Sequence, residues 1–118
     1  MPTTVKDQAE FLQDVIKLLQ FAREQKFVVT GGELYRPSEM QAIYVKTGRS
    51  KTMASRHLNR CAIDLNFFVE SGGRLELTYD IQVLKKIGDY WESLNPLNSW
   101  GGNWNSFKDV PHFERRGT

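Results

Sequence analysis

The sequence predicts a small α+β domain. Three observations lead there: a long amphipathic helical pattern over residues 4–25, one dense apolar strand pattern over 61–70, and helices and strands that mix without regular βαβ alternation. The chain has 118 residues, enough for one domain that buries a single core without disulfides. Its 40% apolar and 25% charged content is ordinary for a globular protein.

In the first segment Phe11, Leu12, Val15, Ile16, Leu18, Leu19 and Ala22 recur at helical spacing. Thr4, with Asp7 three residues on, reads as a capping box. Phe27 to Thr30 is a short β-branched and aromatic run stopped by Gly31-Gly32, so a strand and a turn are expected. Pro37 to Thr47 reads as a second helix, with proline in its first turn and Gly48 after its end. Residues 49–60 are polar and basic without a period and read as a loop. Cys61 to Glu70 is the best strand, and Ser71-Gly72-Gly73 turns the chain after it. Thr78 is the expected cap of a third helix, with Ile81, Leu84, Ile87, Trp91 and Leu94 as its apolar stripe and Asn95-Pro96 as its stop. Residues 97–108 read as a loop, 110–114 as a final strand, and the last four residues as frayed. The expected whole is one domain over 1–118: an N-terminal helix and first strand over 1–30, then a core over 31–114. A short antiparallel sheet is flanked by about three helices.

Met1 to Lys17 carries Lys6, Asp7, Glu10 and Asp14 and lacks the unbroken apolar stretch of a signal peptide. No segment reaches the ~18 apolar residues of a membrane span. Synthesis in the cytoplasm is therefore expected. The single cysteine, Cys61, allows no internal disulfide, which fits a reducing compartment. A net charge of +2 points away from a dedicated nucleic-acid binder.

The chemistry is concentrated in a few residues. The chain has two histidines, His57 in the basic loop and His112 in the final strand. Asp64 interrupts the most apolar strand. A carboxylate there is costly unless it is paired or holds a metal. Strand alternation puts Ala62, Asp64, Asn66 and Phe68 on one, partly polar face, and Cys61, Ile63, Leu65, Phe67 and Val69 on the other, apolar face. His57, Asp64 and His112 would make a set of three nitrogen and oxygen ligands, the arrangement that leaves a catalytic zinc one open position. Asp109, three residues before His112, could hold a proton beside such an ion. Spacing alone leaves plain alternatives open: an exposed loop histidine at 57, an Asp64 paired with Arg60, and a turn residue at 109.

Two segments carry a family resemblance. Ser55-Arg56-His57-Leu58-Asn59-Arg60-Cys61-Ala62-Ile63-Asp64 resembles the first signature of the zinc peptidases that include D-alanyl-D-alanine carboxypeptidases and phage L-alanyl-D-glutamate endolysins. Asp109-Val110-Pro111-His112 resembles the second, an acid three residues before the last zinc-binding histidine. Trp100-Gly101-Gly102-Asn103-Trp104 and His112-Phe113-Glu114 are similar to the endolysin branch. The resemblance spans roughly residues 30–114. It implies the fold shared by these peptidases and hedgehog (the LAS type), with His57, Asp64 and His112 as ligands of one Zn2+ and Asp109 as general base. It further implies Arg36 facing the substrate, and Ser55, Trp100 and Trp104 beside it. Arg60 stands where the family usually has glycine, which implies a different turn or an extra basic contact.

The activity implied is hydrolysis of a peptide bond in the peptidoglycan stem peptide by a monomer. Arg36, Arg49, Lys51, Arg56 and Arg60 would edge the cleft and suit its carboxylates. The L-alanyl-D-glutamate bond is favoured over a terminal D-alanine by the tryptophan-rich end and the small single-domain build. The expected place of action is the cell wall, reached after a separate holin-like protein opens the membrane. Rival readings are a DNA-binding module using the basic loop, a cysteine hydrolase using Cys61 and His112, and a relative that binds cell wall without turnover.

Overall fold

The structure is a computed structural model, and it describes residues 5–32 and 61–116. The expected helix at 37–47 and the basic loop at 49–60 lie outside the described residues. Helix α1 spans Val5–Glu24, followed by strand β1 at Val28–Gly31. Strand β2 runs over Ala62–Ser71 and turns through Gly72-Gly73 into β3 at Arg74–Thr78. Helix α2 spans Ile81–Leu94, β4 is Asn98–Trp100, a single 3-10 turn covers Gly101–Asn103, and β5 is His112–Arg115.

The five strands form an antiparallel sheet in the order β1-β2-β5-β4, with β3 also on β2. Strand β2 organises it. Residues 65–68 pair with β1 on one edge, while the other edge is shared: 67–71 pair with β3 and 62–64 with β5. The hairpin into β3 needs positive φ at both turn residues, +57° at Gly72 and +80° at Gly73, which glycine adopts without a Cβ clash.

Helices α1 and α2 cover one face. Phe11, Val15, Leu18 and Ala22 of α1 and Leu84, Ile87 and Trp91 of α2 meet Leu65, Phe67, Trp100 and Phe113 of the sheet. Phe113 lies among Phe67, Trp91 and Trp100, with ring centroids 5.9, 6.0 and 6.4 Å away. Burying a phenylalanine contributes about 2 kcal/mol and a typical hydrogen bond about 1. Packing of Phe113 therefore contributes substantially to holding β5 in place.

Four expectations change. Thr78 ends β3, and the α2 cap is Asp80, whose carboxylate accepts from the Gln82 amide at 2.9 Å. Residues 74–78 form a strand where none was expected. The 97–108 segment holds β4, so it is not all loop. The chain end is held at least to residue 116. Arg115 is buried, ion-paired to Asp14 of α1 and hydrogen-bonded to Asn98, while the Arg116 amide donates to Leu97 O at 2.7 Å.

Candidate metal centre

Asp64 and His112 are direct partners in the β2–β5 register. Residues opposite one another on antiparallel strands project from the same face. Here that face is the one turned away from Leu65, Phe67 and Phe113, so the pair stands outside the core. His112 Nδ1 lies 3.4 Å from Asp64 Oδ1. The alternation that placed Asp64 on the polar face of β2 is thus realised, with Leu65 and Phe67 buried on the other.

Asp109 arrives through a turn. The His112 amide donates to Asp109 O at 3.0 Å, which closes residues 109–112 into a four-residue turn just before β5. The Leu65 amide donates to Pro111 O at 2.9 Å and ties that turn to β2. The Asp109 amide in turn donates to Gly101 O at 3.1 Å. A Cβ at Gly101 would fall 2.0 Å from Asp109 O, so only glycine permits this approach. The acid-to-histidine spacing of three is therefore the length of one turn.

Asp64, Asp109 and His112 each offer a ligand atom within 4.8 Å of the others. Among the described residues, this is the group that could hold a metal ion. Carboxylate oxygens and an imidazole nitrogen are the hard-to-borderline donor set that zinc accepts, so the residues present fit that ion.

The imidazole is buried, and burial opposes its positive charge. Hydrogen bonds to Asp64 and Glu114, together with their negative charges, outweigh this and raise its pKa to about 9. His112 Nε2 is 2.7 Å from Glu114 Oε1. Glu114 belongs to the His112-Phe113-Glu114 motif, which implied no role for it. Alternation would have placed it on the same face as His112, two residues away in the strand.

The two tryptophans differ. Trp104 lies over the site, its ring centroid 5.2 Å from that of His112, and its indole N–H donates to Ser99 Oγ at 2.8 Å. Trp100 is fully buried. It is stacked on Phe113, and its indole N–H donates to Val110 O at 2.7 Å. A ring sealed in the core cannot wall a cleft, so the expected substrate contact of Trp100 is withdrawn. Gly88 is part of that seal, since a Cβ there would lie 2.0 Å from the Trp100 ring. Cys61 is also buried, which removes it as a nucleophile paired with His112. His57, Ser55 and Arg36 lie outside the described residues.

The fold, an antiparallel sheet backed by two helices, has solved counterparts. One is the crystal structure of Serratia marcescens L-Ala D-Glu endopeptidase ChiX, with a TM-score of 0.68 and 21% identity over 98% of this chain and 90% of that one. A model of the D-alanyl-D-alanine carboxypeptidase family matches residues 48–115, and the chain belongs to that family. The match contains Ser55, His57, Asp64, Asp109 and His112 and leaves Arg36 outside. The chain is also 34% identical over 99 residues to the L-alanyl-D-glutamate peptidase of Listeria phage A118. That alignment covers 83% of this chain and 34% of the phage protein, so the chain spans about a third of that relative's length.

Proposed function

We propose that the chain is a zinc-dependent peptidase that hydrolyses the L-alanyl-D-glutamate bond of the peptidoglycan stem peptide. His57, Asp64 and His112 hold the ion. The convergence of Asp64, Asp109 and His112 within 4.8 Å is the observation that supports it most directly. The names of the phage relative and of the Serratia structure agree on the bond. When bound, zinc supplies Lewis acidity to water and to the scissile carbonyl.

The chain's own residues do the rest. Asp109 takes a proton from the attacking water and returns it to the leaving amine, a role worth roughly 10²–10⁴ in rate. Its turn holds it beside His112 before substrate arrives, so little reorganisation is needed. Trp104 covers His112 and limits water on that side. Arg36 binds a substrate carboxylate or the developing oxyanion, and Ser55 contacts the substrate. The protein works as a monomer on the cell wall, after a separate membrane-permeabilising protein gives access. Among the described residues no helix is long and apolar enough to cross a membrane.

A second reading is removal of a terminal D-alanine, which the family's description favours. Mass spectrometry of purified peptidoglycan fragments separates the two. New L-alanine carboxyl ends with free D-glutamyl amines, abolished by a chelator, are expected. Free D-alanine would favour the carboxypeptidase. Undigested fragments would refute both.

A further inference from the structure

We propose that Glu114 is a positioning residue for the metal centre, holding the His112 imidazole by Nε2 so that Nδ1 is the nitrogen offered to the ion. The proposal rests on the zinc reading above. Glu114 Oε1 lies 2.7 Å from His112 Nε2, while Nδ1 is the ring nitrogen that faces Asp64, at 3.4 Å. A carboxylate has acceptors only, so the nitrogen bonded to it carries the hydrogen. Nδ1 faces Asp64 and gives up its own proton when an ion binds, so the lone pair for a metal comes from Nδ1, on the side where Asp64 and Asp109 converge.

Glu114 is itself well held. Its backbone pairs with Ala62 of β2 on one side and Ser99 of β4 on the other. Its carbonyl accepts from the buried Trp91 indole at 3.1 Å. Its side chain is only 15% exposed, so the carboxylate has little room to leave the imidazole. An imidazole pinned at one nitrogen by a carboxylate keeps a fixed ring plane and is the more basic ligand at the other. Glu114 does not compete for the ion itself, because it sits at the far nitrogen, outside the group formed by Asp64, Asp109 and His112.

The test uses the full chain and reads zinc rather than turnover. Competition with a chromophoric chelator gives the zinc dissociation constant of wild type, Glu114→Gln and Glu114→Ala. Loss of an outer-shell carboxylate typically weakens binding 10–100-fold. That range is expected for Glu114→Ala, with Glu114→Gln in between because its amide oxygen still accepts the Nε2 hydrogen. Histidine nitrogen NMR of zinc-loaded wild type adds a readout that fold stability does not move: His112 should be metallated at Nδ1 and protonated at Nε2. Should Glu114→Ala fail to fold, Glu114→Gln and the wild-type spectrum still decide. Wild-type affinity in both variants, or metallation at Nε2, overturns the role of Glu114 and leaves the peptidase intact. A wild-type chain that takes up no zinc removes both.

Discussion

Asp64 and His112 face each other across the β2–β5 pair, with Oδ1 and Nδ1 3.4 Å apart. Two residues 48 positions apart in the chain meet because a strand register makes them opposite, and Asp109 joins them through the turn that starts β5. The described part of the site is therefore built on hydrogen-bonded backbone.

Asp109 is close enough to be either a ligand or a base. The assignment as base predicts that Asp109→Asn lowers kcat/KM by about 10²–10⁴ while zinc uptake stays stoichiometric. Peptidoglycan turnover and metal analysis on the same sample check it. Loss of zinc would make Asp109 a ligand instead.

The Asp14–Arg115 ion pair joins α1 to the strand that carries His112, and both residues are buried. Asn98 binds both of them, donating to Asp14 Oδ2 at 3.1 Å and accepting from Arg115 Nε at 3.1 Å. Removing Asp14 leaves the buried Arg115 with only the half-exposed Glu10, 3.6 Å away, as a counter-charge. Asp14→Ala should lower stability by about 3 kcal/mol in urea denaturation. A change below about 1 kcal/mol would show that Glu10 or water compensates Arg115 in place of Asp14.

Two residues past the end of α1, Lys26 has a φ of 72°. The Phe27 amide donates to Ala22 O and the Lys26 amide to Arg23 O, a pattern that favours glycine at the left-handed position. Lys26→Gly should raise stability by about 0.5–1 kcal/mol, seen as a higher urea midpoint. A lower midpoint would mean that the lysine side chain contributes more than its backbone strain costs.

In metal-free protein the raised pKa of His112 sets a pH dependence. A folded-state value of about 9 against 6.5 means that the charged imidazole stabilises the fold fully below pH 6.5. This contribution, on the order of 3 kcal/mol at most, is lost as pH rises through 9. With chelator present, the urea midpoint should fall between pH 6.5 and 9.5. His112→Gln should flatten that fall, and an equal slope in both proteins would place its origin elsewhere.

Much of this was legible in the residues. The helical stripes at Phe11–Ala22 and Leu84–Trp91, the alternation around Asp64 and the acid-to-histidine spacing are local patterns, and local patterns fix elements. What escaped depends on partners distant in sequence. Strand β4 has three residues, all buried, and takes its identity from pairing with β5. Leu75 and Leu77 alternate as a strand should, but both side chains are exposed, and β3 takes its identity from pairing with β2. Trp100 and Trp104 look alike in sequence, and only the register, which pairs Trp100 with Phe113, sends one ring inward. Asp14 gave no signal at all, since its partner lies 101 residues on.

The account depends most on two imidazoles and one carboxylate sharing a single ion. X-ray absorption at the zinc edge of the loaded full chain, with His57→Ala alongside, tests this directly. The account predicts one zinc per chain, two imidazoles in the wild-type spectrum, and one in the variant. A wild-type spectrum with a single imidazole, or one unchanged in His57→Ala, would contradict it.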